Sequence, residues 1–161
     1  MKSVQNTHNL SSHDDLHNAL LGIVAAFNRP QRDERLIEQA GIPLDRALFP
    51  LLIGIDRFGP VGVVELADNV GRDYTTVSRQ VAKLVELGLV RRQKGAKDKR
   101  VNEAVISPQG KVMTRQVDVA RERLYQQIFS QWSAEDKAEL TRLVAKFAQD
   151  FTGVDVAGDE G

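Results

Sequence analysis

Apolar residues recur along this chain at intervals of three and four, the spacing that gives an amphipathic helix one buried face. The pattern predicts helices over residues 16–28, 31–40 (a short helix or an extension before Gly41), 43–58, 63–70, 74–87, 108–130 and 133–151 of the 161. Pro50 falls inside the third of these helices and predicts a bend there, since proline removes a helix hydrogen bond. Residues 1–11 and 152–161 show no such period and are expected to be disordered.

The helix predicted from Tyr74 has a distinctive polar face. Asp73 precedes it and is a suitable N-cap, because its carboxylate can accept a hydrogen bond from the Thr76 N–H. The apolar stripe is Val77, Val81, Leu84 and Val85, and the other side carries Tyr74, Thr75, Thr76, Ser78, Arg79 and Lys83. Hydroxyls and cations of this kind suit phosphates and base edges, although an ordinary solvated helix face has a similar composition.

A strongly basic hairpin is predicted directly after that helix. Residues 89–93 and 101–106 are β-prone, and the turn between them, residues 94–100, contains four Lys/Arg. Val61 and Gly62 can add a short third strand to the same sheet. A pair of helices followed by such a hairpin predicts a helix-turn-helix with a wing.

These motifs resemble those of the MarR-type winged helix-turn-helix transcriptional regulators, over residues 13–151. The run Thr75-Thr76-Val77-Ser78-Arg79 is similar to the core of their recognition helix, and residues 84–90 to the L-x-x-x-G-L-V passage into their wing. Asp98-Lys99-Arg100 resembles the D-x-R of the wing, and Ser107-Pro108-Gln109-Gly110 the T-P-x-G that starts the next helix. The resemblance implies a mainly α fold with a small β-hairpin wing: a winged helix-turn-helix domain plus an α-helical dimerisation region.

The resemblance also implies that a homodimer binds a pseudo-palindromic operator in double-stranded DNA and represses transcription. The residues then expected at the DNA are Arg72, Tyr74, Thr75, Thr76, Ser78, Arg79, Lys83, Lys97, Lys99 and Arg100. Among them, Thr75, Thr76 and Arg79 are expected to reach base edges. Arg100 is expected in the minor groove, and Asp98 is expected to brace an arginine. A small aromatic or phenolic effector is implied as well, without residues that identify it.

Charge is distributed unevenly along the chain. There are 22 Lys/Arg and 22 Asp/Glu in all, but residues 72–100 contain nine of the former and three of the latter, a local net of +6 that leaves −6 elsewhere. The basic segment coincides with the predicted helix and wing, which gives a local footprint for a polyanion. The absence of cysteine excludes disulfides and thiol sensors. With no membrane-length apolar run and no signal-peptide core, a cytoplasmic protein is expected.

The predicted helices at both ends of the chain keep apolar stripes that flank the DNA-reading segment. The residues expected to form the dimer are Leu16, Leu20, Ile23, Leu124, Ile128, Leu140, Leu143 and Phe147. The helix from Pro108 would be about 36 Å long at 1.5 Å per residue, more than one compact domain of this size needs. The predicted organisation is residues 12–58 for dimerisation and linkage, 59–106 for DNA binding and 107–151 for dimerisation.

Other functions have less support in the residues. His13 and His17 lie one turn apart, but without cysteine or a third histidine in reach a solvated pair is a simpler interpretation than a metal site. No Gly-rich phosphate loop or separated carboxylate pair is present, so no enzyme, metal or cofactor is predicted. The remaining alternative is a winged-helix module that docks an acidic protein partner, which would bind without regard to DNA sequence.

Overall fold

The computed structural model describes residues 11–157, which form seven helices and a three-stranded sheet. In chain order the elements are α1 (Ser11–Phe27), α2 (Pro30–Ala40), α3 (Phe49–Phe58), β1 (Val61–Gly62), α4 (Val63–Val70), α5 (Tyr74–Glu86), β2 (Val90–Lys94), β3 (Asn102–Ile106), α6 (Pro108–Ile128) and α7 (Ala134–Ala157). The predicted mainly helical fold with a small β wing is confirmed. The chain divides into two compact units, residues 1–120 and 121–161. No helix within residues 11–157 has both the length and the apolar character that crossing a bilayer requires.

The core of the first unit lies where the apolar faces of α3, α4 and α5 meet. Leu52 and Ile55 from α3, Leu66 from α4, and Val81 and Leu84 from α5 have no exposed surface. Their three- and four-residue spacing determines which side of each helix turns inward. Burying each of these side chains stabilises the fold by roughly 1.5–3 kcal/mol, so α5 is held with its polar side outward.

The wing is an antiparallel sheet in the order β1-β3-β2. The strand predicted at residues 61–62 is confirmed as β1 and pairs with β3. On the other side of β3, Val90 pairs with Ile106 and Lys94 with Asn102, so β2 is an edge strand. Only its first residue, Val90, is buried, and the four that follow expose their side chains.

Ser107 joins the wing to α6 and caps that helix, as predicted. Its Oγ accepts a hydrogen bond from Gly110 N at 2.9 Å and donates one to the Gly88 carbonyl at 2.6 Å. Its own N–H donates to the Leu89 carbonyl at 3.0 Å. Gly88 has φ 76°, the left-handed conformation that glycine adopts without strain after a helix. Ser107 therefore fixes the end of α5, the approach to β2 and the start of α6 together.

The prediction of one helix over residues 43–58 is wrong in its first part. The helix α3 begins at Phe49, so Pro50 lies in its first turn and not at a bend. Proline lacks an N–H and clashes with the carbonyl four residues earlier, and only in the first turn of a helix does neither matter. Leu44 and Leu48 are nevertheless buried, from the non-helical segment that precedes α3. Their burial explains why the apolar period continues through a segment that is not helical.

The second unit contains the end of α6 and the whole of α7. Ser133 caps α7 as predicted, because its Oγ accepts a hydrogen bond from Asp136 N at 3.0 Å. Three rings lie around the turn between the helices. Tyr125 stacks on Phe129 with centroids 6.0 Å apart, and Phe129 meets Trp132 edge-on at 5.2 Å. Both are attractive geometries for aromatic pairs, so the rings stabilise the turn.

The C-terminal tail that was predicted to be disordered is helical in part. The prediction is wrong for residues 152–157, through which α7 continues. No proline interrupts this segment, so each added residue can extend the helix by one hydrogen bond. The Thr152 hydroxyl also donates to the Ala148 carbonyl at 2.9 Å. Of the other residues predicted to be disordered, 1–10 and 158–161 lie outside the described part of the chain, and Ser11 begins α1.

Candidate nucleic-acid interface

The helices α4 and α5 form the predicted helix-turn-helix, with residues 71–73 as the turn. Gly71 has φ 65°, a left-handed conformation that closes α4 and reverses the chain. α5 then begins at Tyr74. Because Val77, Val81 and Leu84 have no exposed surface, α5 is seated on the core by one face, and its opposite face is left for a partner.

The predicted DNA-reading side chains of α5 lie on that outer face. Tyr74, Thr75, Arg79 and Lys83 are exposed, and Thr76 and Ser78 are half-buried at its edge. Among the described residues, neither Thr75 nor Arg79 makes a side-chain hydrogen bond, so both can meet a partner without breaking a contact. Lys83 pairs with Glu86 at 3.3 Å between two exposed groups, an interaction that contributes little and is easily exchanged.

Asp73 caps α5 with both of its carboxylate oxygens. The sequence predicts one of the two contacts, the hydrogen bond from the Thr76 N–H. Oδ1 accepts a hydrogen bond from Thr76 N at 2.9 Å, and Oδ2 accepts one from the Thr76 hydroxyl at 2.5 Å. The hydrogen bond from the Thr76 side chain, followed by that from its backbone, lowers the pKa of Asp73 below its usual value. The carboxylate is therefore ionised at neutral pH, at the helix end where the macrodipole favours negative charge.

Arg72 was predicted to contact DNA, but its guanidinium is bound within the protein. Nη1 donates to the Ala47 carbonyl at 2.6 Å and to Gln80 Oε1 at 2.9 Å. The side chain is half-buried and links the turn before α5 both to α5 itself and to the segment ahead of α3. These hydrogen bonds give Arg72 a role in positioning α5, and its contact with DNA stays a prediction.

The predicted wing cations Lys97, Lys99 and Arg100 are all exposed. Arg100 has 91% of its side chain exposed while its Nε and Nη2 donate to the two carboxylate oxygens of Asp98, each at 3.1 Å. The prediction that Asp98 braces an arginine is confirmed. Hydrogen bonds from the Arg100 side chain and backbone lower the pKa of Asp98, so the pair stays charged. The carboxylate thus orients Arg100 without burying it.

Three exposed cations on β2 were not among the predicted site residues: Arg91, Arg92 and Lys94. All three are exposed on the edge strand of the wing, and Lys94 Nζ donates to Asn102 Oδ1 at 3.2 Å. The sequence did contain a signal, because a strand with four consecutive polar residues after Val90 has no apolar face to bury. Charges on an edge strand also prevent other strands from pairing with it. These residues extend the basic surface of the wing.

A cleft of about 610 Å³ lies between α4, the start of α5 and the wing sheet. It is lined by Tyr74 and Ser78 from α5 and by Arg92 and Arg100 from the wing, with Glu65 of α4 among the other lining residues. Of the predicted contact residues, Tyr74 and Ser78 from the helix and Arg100 from the wing line this one concave surface, where Tyr74 has 56% of its surface exposed.

The residues predicted to form a dimer leave apolar surface uncovered in each unit. In the first unit Leu16 and Ile23 are exposed and Leu20 is half-buried; in the second, Ile128, Leu140, Leu143 and Phe147 are exposed and Leu124 is half-buried. Every side chain from Ala134 to Val154 is exposed. On α7, Leu140, Leu143 and Phe147 recur at intervals of three and four residues, so their exposed side chains lie along one face of the helix.

The two histidines considered as a metal pair, His13 and His17, are exposed on α1. Within residues 11–157 no group of three or more His, Cys, Asp or Glu side chains is arranged to hold a metal ion. The third histidine, His8, lies outside the described residues. The site that the structure does assemble is the basic surface of α5 and the wing.

Similar proteins identify the family. A family model described as HVO_A0114 matches residues 49–103. The uncharacterized HTH-type transcriptional regulator YxaD of Bacillus subtilis (strain 168) is 32% identical over 108 residues, which cover 67% of this chain and 76% of YxaD. A solved MarR family protein from Bacillus stearothermophilus is 22% identical, with a TM-score of 0.73 over 89% of this chain and 98% of that chain. A solved MarR transcriptional regulator from Methanosarcina mazei Go1 is 21% identical, with a TM-score of 0.65 over 87% and 99%.

The helix-turn-helix, the wing and these similarities define a winged helix-turn-helix protein that binds DNA. The solved structures show that the fold is shared, and YxaD is in addition similar to this chain in sequence. The chain belongs to the MarR family of transcriptional regulators.

Proposed function

We propose that this regulator is a cytoplasmic homodimer that represses transcription by binding a pseudo-palindromic operator. One observation carries the proposal: the exposed polar face of α5 and the exposed cations of the wing occupy the same segment, residues 72–100, whose net charge is +6 in a chain that is neutral overall. Such a concentration of charge attracts a polyanion to one surface only.

In this proposal α5 lies in the major groove. Arg79 bonds the O6 and N7 of a guanine, while Thr75 and Thr76 meet neighbouring base edges. Tyr74, Ser78 and Lys83 are shared between bases and phosphates. Lys97 and Lys99 hold the wing against the backbone, and Arg100 enters the minor groove, where narrow A·T tracts attract arginine.

A second copy of the chain is needed for a palindromic site. The uncovered apolar side chains of α1 support dimerisation, and so do those of α7, which include Leu143 and Phe147. A two-fold axis between two chains relates their two recognition helices, which then reach successive major grooves about 10 base pairs apart. The operator is therefore an inverted repeat with that spacing.

Regulation by a small aromatic or phenolic ligand is the last part of the proposal. Support comes from membership of the MarR family, and no residue set in the chain identifies the ligand. A ligand releases DNA only if it binds more tightly to the conformation in which the two recognition helices no longer match the operator. Its effect is therefore expected on the separation of the two α5 helices and not on the fold of each wing.

Selection of bound duplexes from a randomised double-stranded library tests the proposal directly. The expected result is enrichment of an inverted repeat, tighter at low salt. A reporter gene placed behind the selected sequence should be less active when the protein is present, and candidate aromatic acids should restore it. Binding to all duplexes alike, or binding to an acidic protein and not to DNA, would favour the protein-docking alternative and contradict the proposal.

A further inference from the structure

The Thr76 hydroxyl has its only hydrogen committed within the protein. Thr76 Oγ1 lies 2.5 Å from Asp73 Oδ2, and Asp73 Oδ1 accepts from Thr76 N at 2.9 Å. Two oxygens this close share a hydrogen. The Asp73 carboxylate has none to give, because the same hydrogen bonds hold its pKa below the usual value. The hydrogen therefore belongs to Thr76 and points at Asp73.

A hydroxyl offers one hydrogen and two lone pairs. With its hydrogen directed at Asp73, Thr76 has only lone pairs to offer to DNA. In the major groove, adenine N6 and cytosine N4 are donors, whereas adenine N7, guanine O6 and N7, and thymine O4 are acceptors. We propose that Asp73 fixes Thr76 as a hydrogen-bond acceptor, so that Thr76 selects adenine or cytosine over guanine or thymine on the strand it contacts. The inference rests on the proposed function, in which α5 lies in the major groove.

The neighbouring Thr75 shows what the cap changes. Thr75 is exposed, and no other side chain in the described residues holds its hydroxyl, which can therefore rotate to donate or to accept. The two adjacent threonines have the same chemistry, but only Thr76 is within reach of Asp73. Thr76 is expected to discriminate between amino and keto bases, and Thr75 is expected to tolerate both.

The substitution Asp73→Asn should reverse the polarity of Thr76. Asparagine caps a helix as well as aspartate does, and its Oδ1 can still accept from the Thr76 N–H. Its amide nitrogen then takes the place of Oδ2 and donates to Thr76 Oγ1, which releases the hydroxyl hydrogen toward the groove. The preference for cytosine should change to one for guanine or thymine, by about three- to tenfold, the factor that one neutral hydrogen bond supplies. Adenine should keep part of its affinity, because its N7 can accept from the released hydroxyl.

The experiment uses the full chain as wild type, Asp73→Asn, Thr76→Val and the double variant. Each protein selects duplexes from a randomised double-stranded library, and affinities are then measured on duplexes that differ at single base pairs. Thr76→Val keeps the shape and a methyl group of the side chain but removes the hydroxyl. The base pair at which this variant loses its base preference is therefore the one that Thr76 contacts. The double variant should show the same loss of base preference at that position. Asp73→Asn also removes a negative charge and tightens binding to every duplex, so the ratio between bases is the readout.

Two results would overturn the inference while leaving the proposed function intact. In the first, Asp73→Asn unfolds cooperatively like the wild type but keeps the wild-type ratio of affinities between the bases at the position that Thr76 contacts. In the second, Thr76→Val keeps the full preference, which would assign the discrimination to the methyl group. If the wild type enriches no sequence at all, the proposed function fails and the inference fails with it.

Discussion

Nη1 of Arg72 donates one hydrogen bond to Gln80 Oε1 at 2.9 Å and another to the Ala47 carbonyl at 2.6 Å. Gln80 lies in α5, and Ala47 lies just ahead of α3. A guanidinium is planar and its donors are fixed relative to one another, so it can hold two acceptors in a defined geometry. Arg72 thereby sets the position of α5 on the core, and we infer that it affects DNA binding through that position.

Replacing Arg72 with alanine is expected to destabilise the protein and to weaken DNA binding without changing its salt dependence. The substitution leaves the Ala47 carbonyl and Gln80 without a charged donor, which costs about 1–3 kcal/mol in the free energy of unfolding. Urea unfolding and binding measured at several salt concentrations give the two quantities. Arg91→Ala is the matched control, since Arg91 is exposed on β2 and its loss should change the salt slope and not the stability. A salt slope that falls by about 0.9 in Arg72→Ala would reveal a phosphate contact instead.

Arg79 and Lys97 are expected to contribute to binding in different ways. Arg79→Ala should cost about 1–3 kcal/mol on the operator and much less on random DNA, because a base contact is lost. Lys97→Ala should weaken binding to both alike and lower the salt slope by about one unit, because a phosphate contact is lost. Fluorescence anisotropy on paired operator and scrambled duplexes separates the two. Equal losses on both duplexes for Arg79→Ala would refute its role in base recognition.

The stability of the protein is expected to depend on pH through Asp33, a half-buried residue of α2. Burial raises the pKa of Asp33, and the positive charges of Arg32, Arg46 and Arg72 oppose only part of the rise. A raised pKa means that the protonated form favours folding. This contribution is complete below the ordinary aspartate pKa of about 3.9 and is lost as the pH rises through the folded-state pKa. Asp33→Asn should therefore unfold at higher urea than the wild type at pH 7 but not at about pH 3.5. Equal midpoints at pH 7 would contradict this.

The recognition helix was predictable from sequence because its signals are local and agree with one another. The cap at Asp73 and the cap at Ser107 each act over three residues, and both are present as predicted. The bracing role of Arg72 was not predictable, because Ala47 is 25 residues away and the contact depends on how the helices pack. The apolar period through Leu44 misled for a related reason: a side chain buried from a non-helical segment and one buried from a helix give the same apolar spacing in the sequence. Periodicity likewise identifies the apolar stripe on α7, but it does not identify a partner for that stripe.

Gly110 lies where α6 approaches the chain just before β2. A Cβ built at this position would be 2.1 Å from the Leu89 carbonyl oxygen, which is backbone and cannot move aside. Gly110→Ala should therefore lower the free energy of unfolding by about 1–3 kcal/mol or more, as overpacking does. The matched control is Gly22→Ala on α1, where nothing lies within 4 Å of the added Cβ. That change should stabilise the protein by roughly 0.5–1 kcal/mol, because alanine favours a helix over glycine. Thermal or urea unfolding of both variants measures the contrast, and a neutral Gly110→Ala would show that α6 does not approach Leu89 so closely.

The exposed apolar stripe of α7 predicts how the dimer can be separated. Leu143 and Phe147 lie one turn apart on that stripe and are 47% and 38% exposed. If a second copy covers them, Leu143→Glu places a carboxylate in an apolar contact, at a cost of about 3 kcal/mol or more per subunit. Two-fold symmetry doubles that cost, so the dimer dissociation constant should rise by well over a hundredfold.

Sedimentation equilibrium at micromolar concentration should then show a monomer for Leu143→Glu. Gln149→Glu adds the same charge to α7 away from the stripe and should remain a dimer. The Leu143→Glu monomer should keep the helical circular dichroism of the first unit, whose core does not include α7. It should bind a single half-site as the wild type does when only one half-site is offered, but lose the added affinity for the inverted repeat. A wild-type protein that sediments as a monomer, or a Leu143→Glu variant that stays dimeric, would remove α7 from the interface.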